Sequence, residues 1–341
     1  MEEELPAMRS ALNIEQGLRE GPLLEVRGLK KYFRETSFLG KVVKVTKAVD
    51  GVSFSVGRRE KFCIVGESGS GKTTLARIIA GLLDYDEGEL TLNGVSYREL
   101  LGKDRKAFRR RVQIIFQDPY SAINPRKSVK EFLERPMKLH GIEHTREDLL
   151  DLLESVGLTP AEEMINRMPW ELSGGQRQRL FIARAISLNP ELLVADEPVS
   201  MLDVTVRAQI LSLLNKLYST RGMSMILISH DMLTVNAFCD RVAVMYLGKL
   251  VEIGKAQEVY SHPIHPYSEL LVRSAIKPDP SYRNKLELPE REEDPSVPQR
   301  GCRFRNRCIY AVQQCAEEEP QLVEVSPGRY SACHVRRGVS G

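Results

Sequence analysis

The chain lacks any apolar run of the eighteen or so residues that a membrane span requires, so it offers no transmembrane helix of its own. Its start, "MEEELPAMRS", is acidic and has no hydrophobic stretch, which excludes a secretory signal there. The expectation is a cytosolic chain with reduced thiols, where structural disulfides are disfavoured. An excess of either charge is also missing: 49 Lys and Arg face 46 Asp and Glu, a net charge of +3. A nucleic-acid binder should show a clustered basic surface, and the run Arg109, Arg110, Arg111 reads instead as a solvated helix face. There is no internal repeat and no sustained heptad pattern. Cysteine is scarce, six in 341 residues. Cys63 and Cys239 read as small buried residues. The other four, Cys302, Cys308, Cys315 and Cys333, crowd into the last forty or so positions.

What is present fits one α/β domain with an appendage. "LLEVRGL" (23–29) and "VSFSV" (52–56) read as strands with a polar, lysine-bearing segment between them. "KFCIVGESGSGKTTLARIIAGLL" (61–83) reads as strand, glycine-rich turn and helix. "EGELTLNGVSY" is a hairpin pattern with Asn93-Gly94 at its turn. From 118 to 172 the character is helical: Thr145 with Asp148 forms a capping box, and Gly157 ends that helix. "LLVADE" (192–197) and "SMILISH" (224–230) are buried strands. "RVAVMYLGKLVEIG" (241–254) is a strand pair about Leu247-Gly248, and "PYSELLVRSAI" a short helix. Beyond Pro278 the chain turns Pro-rich and acidic, a linker pattern, and the cysteine-bearing tail then stands as a separate unit.

The chemistry concentrates at three places. "GESGSGKT", Gly66, Glu67, Ser68, Gly69, Ser70, Gly71, Lys72 and Thr73 with Thr74 behind it, is a phosphate-binding loop pattern between strand and helix. Its glycines let backbone N–H groups converge on phosphate oxygens at a helix N-terminus. Lys72 would reach the β- and γ-phosphates of ATP, and Thr73 would hold Mg²⁺. Asp196 leaves the end of "LLVADE", where α/β sheets bind ligands. It can reach Mg²⁺, and Glu197 is placed to polarise a water for in-line attack. "LSGGQRQR" joins a capping box, Ser173 with Gln176, to two bare glycines, Gly174 and Gly175, at a helix start.

"LSGGQ" resembles the signature of ATP-binding cassette (ABC) ATPases, and further landmarks of that family follow in order. Gln117 in "IIFQDP" matches the Q-loop and a Mg²⁺ contact. Asp203 in "SMLD" matches the D-loop, and His230 in "LISHD" the γ-phosphate histidine. Tyr32 in "KKYF" matches the aromatic that stacks on adenine, with Phe33 as the alternative. The resemblance implies a P-loop ABC ATPase core with a mixed sheet over 22–276, a helical subdomain over about 118–175, a linker over 277–300 and a small cysteine unit over 301–336. "DEPVSMLDVTVRAQIL", "HPIHPYSELL" and the C-x-F-R-x-R-C tail are similar to the oligopeptide, dipeptide and nickel importer branch. Met201 and Ile309 depart from that branch's usual alanine and proline.

That branch implies an energy-coupling subunit at the cytoplasmic face of the cell membrane. Its partners would be two membrane permease subunits, a second homologous ATPase and, indirectly, an extracellular substrate-binding protein; nucleic acid would not be one. Ser173, Gly174, Gly175 and Gln176 would act on the partner's ATP. The cargo would be oligopeptides or dipeptides, with oligosaccharides or nickel as alternatives and a soluble, non-transport ABC ATPase as the rival class. No tail cysteines stand two to four residues apart, as zinc knuckles and ribbons favour. Wider spacing suits an iron–sulfur cluster, and the branch implies [4Fe–4S] on Cys302, Cys308, Cys315 and Cys333, with zinc as the alternative. Arg303, Arg305 and Arg307 would offset the thiolate charge.

Overall fold

Alternation along the buried strands creates two cores, one on each face of a single sheet. Phe62, Ile64, Val194, Ile226, Ile228, Ala243 and Met245 enter one core. Their neighbours Cys63, Val65, Leu193, Ala195, Met225, Leu227 and Val242 enter the other. A period of two, with both faces apolar, is what a parallel sheet covered on both sides demands. The computed structural model describes residues 21–36, 42–117, 124–275 and 300–336. The expected linker up to residue 299, and residues 118–123 of the expected helical subdomain, lie outside them.

The strands are β1 (Leu24–Thr36), β2 (Val42–Val56), β3 (Lys61–Val65), β4 (Glu87–Leu92), β5 (Val95–Ser96), β6 (Val112–Ile115), β7 (Leu192–Asp196), β8 (Ser224–Ser229), β9 (Arg241–Tyr246), β10 (Lys249–Lys255), β11 (Val323–Ser326) and β12 (Arg329–Ser331). They form an eight-stranded sheet, β11-β12-β10-β9-β3-β8-β7-β6, and a four-stranded sheet, β2-β1-β4-β5. From β6 to β9 every neighbouring pair is parallel; β10, β12 and β11 add antiparallel strands. The smaller sheet and the helix Lys72–Ile79 cover one face. The helices Gly174–Ile186 and Val204–Arg221 cover the other, together with Val129–Leu139 and Arg146–Ser155 of the helical segment.

Local chemistry behaves as the sequence implied. Asn93 and Gly94 take positive φ at the β4–β5 turn, and Leu247 and Gly248 do so between β9 and β10. Thr145 and Asp148 cap each other, and the next turn closes on Gly157 with φ 71°. Arg109 and Arg110 are exposed, while Arg111 is paired with Glu191 at 2.5 Å.

Three expectations need correction. The lysine-bearing segment before "VSFSV" is strand, because β2 runs back to Val42 along β1; its residues 43–47 are exposed, so burial leaves no alternating signature there. Cys63 and Cys239 are buried as expected, but the structure joins them as a disulfide between β3 and the end of the helix Met232–Phe238. The tail does not stand apart: β12 pairs with β10, and the Ala332 amide donates to the Val251 carbonyl at 2.8 Å. Beneath that seam the fully buried Glu252 carboxylate accepts from Arg329 at 2.9 Å and from the amides of Ile264 and His265. Removing one partner from such a pair typically costs about 3–5 kcal/mol, since the other charge stays buried. The tail is therefore fastened to the core by backbone pairing and by a buried ion pair.

Candidate nucleotide site

Four adjacent parallel strands, β6, β7, β8 and β3, release their chains at the same edge of the sheet. Gln117 follows β6, Asp196 and Glu197 end β7, His230 follows β8, and the glycine-rich loop follows β3. Side chains from residues 66 to 230 are thus gathered where open α/β sheets bind ligands.

The loop's shape depends on two glycines. A Cβ on Gly66 would lie 2.1 Å from the Met245 carbonyl oxygen, and one on Gly71 would lie 2.0 Å from that of Ala48. Gly71 also sits at φ 105°, just before the helix beginning at Lys72. Only glycine lets the backbone turn so closely under its neighbours. Lys72 is buried, and its ammonium donates to the carbonyls of Gly66 at 2.8 Å and Glu67 at 2.7 Å. Burial pushes its pKa down, opposed by the carboxylates of Glu197, Asp196 and Glu67. Thr73 Oγ1 donates to Asp196 Oδ1 at 3.3 Å. Burial raises the Asp196 pKa, with Glu197 adding to the rise and the Thr73 bond opposing it. A hydroxyl beside a carboxylate in this state is the donor set a small hard cation takes.

Glu197 is half-buried and held from three sides. Its Oε2 accepts from Gln117 Nε2 at 3.1 Å and lies 3.4 Å from His230 Nδ1. Its amide donates to the Ile228 carbonyl at 3.1 Å. Its φ of 47° is left-handed, a conformation a non-glycine residue keeps only when its surroundings enforce it. Gln117, Glu197 and His230, spread over more than a hundred positions of sequence, converge on one carboxylate oxygen.

Ser173 and Gln176 form their capping box at an exposed helix start. A Cβ on Gly175 would meet Val206 at 2.7 Å, so this start packs tightly on the helix that Asp203 caps. The two aromatics of "KKYF" differ. The Tyr32 hydroxyl is tied to Asp50, burial raises its pKa, and Lys47 lies 5.7 Å from its ring centre. Phe33 is exposed.

The tail reaches this site, which the sequence did not foretell. Arg307 grips both oxygens of Glu67, at 2.7 and 2.9 Å. The Glu67 amide donates to Tyr267 Oη at 2.7 Å. Arg303 pairs with Asp50 and Glu319, and Arg305 is held by the carbonyls of Arg300 and Ala316. Arg303 and Arg307 are therefore committed to carboxylates of the core and tail, and are not reserved to offset the thiolates. Burial raises the Cys308 pKa, opposed by the Tyr310 amide and, less, by Arg336, whose own amide donates to Cys333 Sγ at 3.3 Å. Burial, opposed by the Phe304 amide and assisted by the other tail cysteines, pushes the Cys302 thiol up to about 11. Among the described residues, no group of three or more His, Cys, Asp or Glu is arranged to hold a metal ion.

Comparison with known proteins agrees with this geometry. The ABC transporter family model matches residues 49–200, and the model of the oligopeptide/dipeptide transporter C-terminal region matches residues 251–315. The YkfD protein of Bacillus subtilis is 45% identical over 327 residues, covering 94% of this chain and 97% of its own. The oligopeptide transport ATP-binding protein AppF, also of Bacillus subtilis, is 42% identical, covering 92% and 97%. Among solved structures, the ATP-binding cassette MJ0796 in a dimeric post-hydrolysis state with ADP and Pi is 27% identical. It has a TM-score of 0.60 and covers 68% of this chain and 98% of its own. The cbiO1 protein of Clostridium perfringens, part of an ABC transporter complex, gives 0.58 at 25% identity, covering 71% and 91%. The chain belongs to the ABC transporter family as an ATP-hydrolysing subunit of its oligopeptide/dipeptide branch.

Proposed function

We propose that this chain drives import of oligopeptides or dipeptides by hydrolysing ATP at the edge formed by β6, β7, β8 and β3. The observation that carries the catalytic reading is the convergence of Gln117 and His230 on one oxygen of Glu197, beside Asp196 and the loop. Backbone amides of residues 66–74 and the Lys72 ammonium hold the phosphates. Thr73, Asp196 and Gln117 would hold Mg²⁺, which would supply charge neutralisation at the phosphates. Glu197 takes the proton of the attacking water, and His230 holds the γ-phosphate. Tyr32 borders the adenine, with exposed Phe33 as the second candidate. Ser173 is exposed and Gly174, Gly175 and Gln176 partly so at their helix start, suited to clamp ATP held by the facing subunit, with Asp203 between the two.

Among the described residues no helix is long and apolar enough to cross a membrane, so transport needs permease subunits to carry the pathway. In this reading two of them bind the chain at the cytoplasmic face, a binding protein outside delivers the peptide, and the second ATPase is a related chain. In the assembled transporter, ATP turnover should rise when peptide-loaded binding protein is added. Native mass spectrometry should find one copy of this chain beside one homologous ATPase. Two copies of this chain would refute the heterodimer, and stimulation by nickel or oligosaccharide in place of peptide would refute the cargo.

The ATPase core is taken as 22–276 and the cysteine unit as 301–336. A [4Fe–4S] cluster on Cys302, Cys308, Cys315 and Cys333 is proposed from their number and wide sequence spacing and from amides aimed at three of the sulfurs, although the described residues are not arranged around a metal ion. The Phe304 amide serves Cys302, that of Tyr310 serves Cys308, and that of Arg336 serves Cys333. Such bonds are one means by which proteins tune iron–sulfur clusters. Anaerobically purified protein should contain about four iron and four acid-labile sulfide per chain. Stoichiometric zinc without sulfide would sink the cluster and leave the ATPase untouched.

A further inference from the structure

We propose that Arg307 is a positioning residue for the glycine-rich loop: the cysteine-bearing tail braces Glu67 and thereby sets the affinity for ATP. The inference rests on the reading of that loop as the phosphate site. Residues 240 positions apart meet there in a bidentate pair, guanidinium on carboxylate, at 2.7 and 2.9 Å. Two parallel bonds fix orientation as well as position.

Glu67 is held at its backbone as well, where its amide donates to Tyr267 Oη at 2.7 Å. Tyr267 lies 4.5 Å from Tyr246 and 5.5 Å from Phe304, ring centre to ring centre. The Arg307 guanidinium sits 5.8 Å from the Tyr246 ring and 5.7 Å from that of Phe304. Arg307 is thus not a loose surface cation; three aromatic rings from three parts of the chain surround the contact. The carbonyl of Glu67 in turn accepts from Lys72 Nζ at 2.7 Å and from the Ser70 amide at 3.3 Å. Whatever shifts Glu67 therefore shifts the carbonyl on which the ammonium rests. A path of direct contacts runs from Arg307 to Glu67 to Lys72.

The brace acts on the loop, not on the water-activating group, since Glu197 is held by Gln117 and His230 on the other strands. Substituting Arg307 should therefore affect binding more than turnover. The pair is partly exposed, with Arg307 at 24% and Glu67 at 40%, so solvent moderates its strength.

The test uses the full chain in its transporter complex, titrated with a fluorescent ATP analogue and assayed for ATPase kinetics. Arg307→Ala should raise the nucleotide Kd and the KM for ATP about three- to tenfold, with kcat changed by less than about twofold. Arg307→Lys, which keeps the charge but not the fork, should recover part of the loss. Glu67→Gln should reproduce the effect from the loop side, and in that background Arg307→Ala should add less than about twofold. Glu67→Gln also keeps the test open if Arg307→Ala fails to fold. An unchanged Kd in either single variant overturns the brace, as does an undiminished effect of Arg307→Ala in the Glu67→Gln background. If the unsubstituted protein binds no nucleotide, the phosphate-site reading fails and not the brace.

Discussion

Glu197→Gln is expected to bind ATP as tightly as the unsubstituted protein and to hydrolyse it about a hundred to ten thousand times more slowly, the range for losing a positioned general base. The amide keeps the shape of the carboxylate. It can still accept from Gln117 Nε2, now 3.1 Å from Glu197 Oε2, and the left-handed backbone at φ 47° is unaffected by the exchange. What is lost is the basic oxygen that, in the proposed mechanism, takes the proton from the attacking water. Nothing in the loop moves, because its contacts come from Lys72, Tyr267 and Arg307. The variant should therefore accumulate as an ATP-bound pair of ATPase subunits, visible as a larger species by size exclusion when ATP is present. ATPase rates and nucleotide titration on the same preparation decide the matter. Turnover within about tenfold of the original would mean that another group takes the proton.

What could be read from the chain beforehand was local. The capping boxes at Thr145 and Ser173 and the turns at Asn93-Gly94 and Leu247-Gly248 are fixed by residues within a few positions of one another. The strand-end placement of Asp196 and His230 follows from short apolar runs that allow little else. The signature and the loop identified the family because glycine is demanded there by backbone approach, as the carbonyls facing Gly66 and Gly71 make plain.

What stayed hidden was long-range pairing of ordinary residues. Arg303 meets Asp50 across 253 positions, and Cys63 meets Cys239 across 176. No periodicity announces such contacts. Arg307 was visible only as a charge between cysteines, and its assignment to the thiolates followed from nearness in sequence. The fold sends it instead to the loop, because β12 pairs with β10 and carries the tail back toward β3. The extent of β2 was missed for a different reason. A two-stranded projection with exposed residues 43–47 has no buried face to impose alternation.

Lys72→Ala is the second large effect, and its signature should be opposite to that of Glu197→Gln. In the structure the ammonium is buried and donates to the Gly66 and Glu67 carbonyls. In the proposed reading those carbonyls hold the cation where the phosphates would arrive, so ATP would meet a charge already desolvated and oriented. Hydrogen bonds to charged groups contribute about 1.5–3 kcal/mol each. Losing one such bond to a phosphate oxygen should raise the Kd by about ten- to one-hundred-and-fiftyfold. The alanine variant also leaves two carbonyls without their donor, which loosens the loop and adds to the loss. Turnover falls in consequence, but raising ATP should recover part of it, whereas no concentration rescues Glu197→Gln. Lys72→Arg separates charge from fit: the longer, planar group keeps the charge but must crowd the buried space now taken by a slender ammonium. Titration with a fluorescent ATP analogue, with circular dichroism as the check on folding, measures the effect. A folded Lys72→Ala protein whose Kd lies within about twofold of the original would remove Lys72 from the phosphate site.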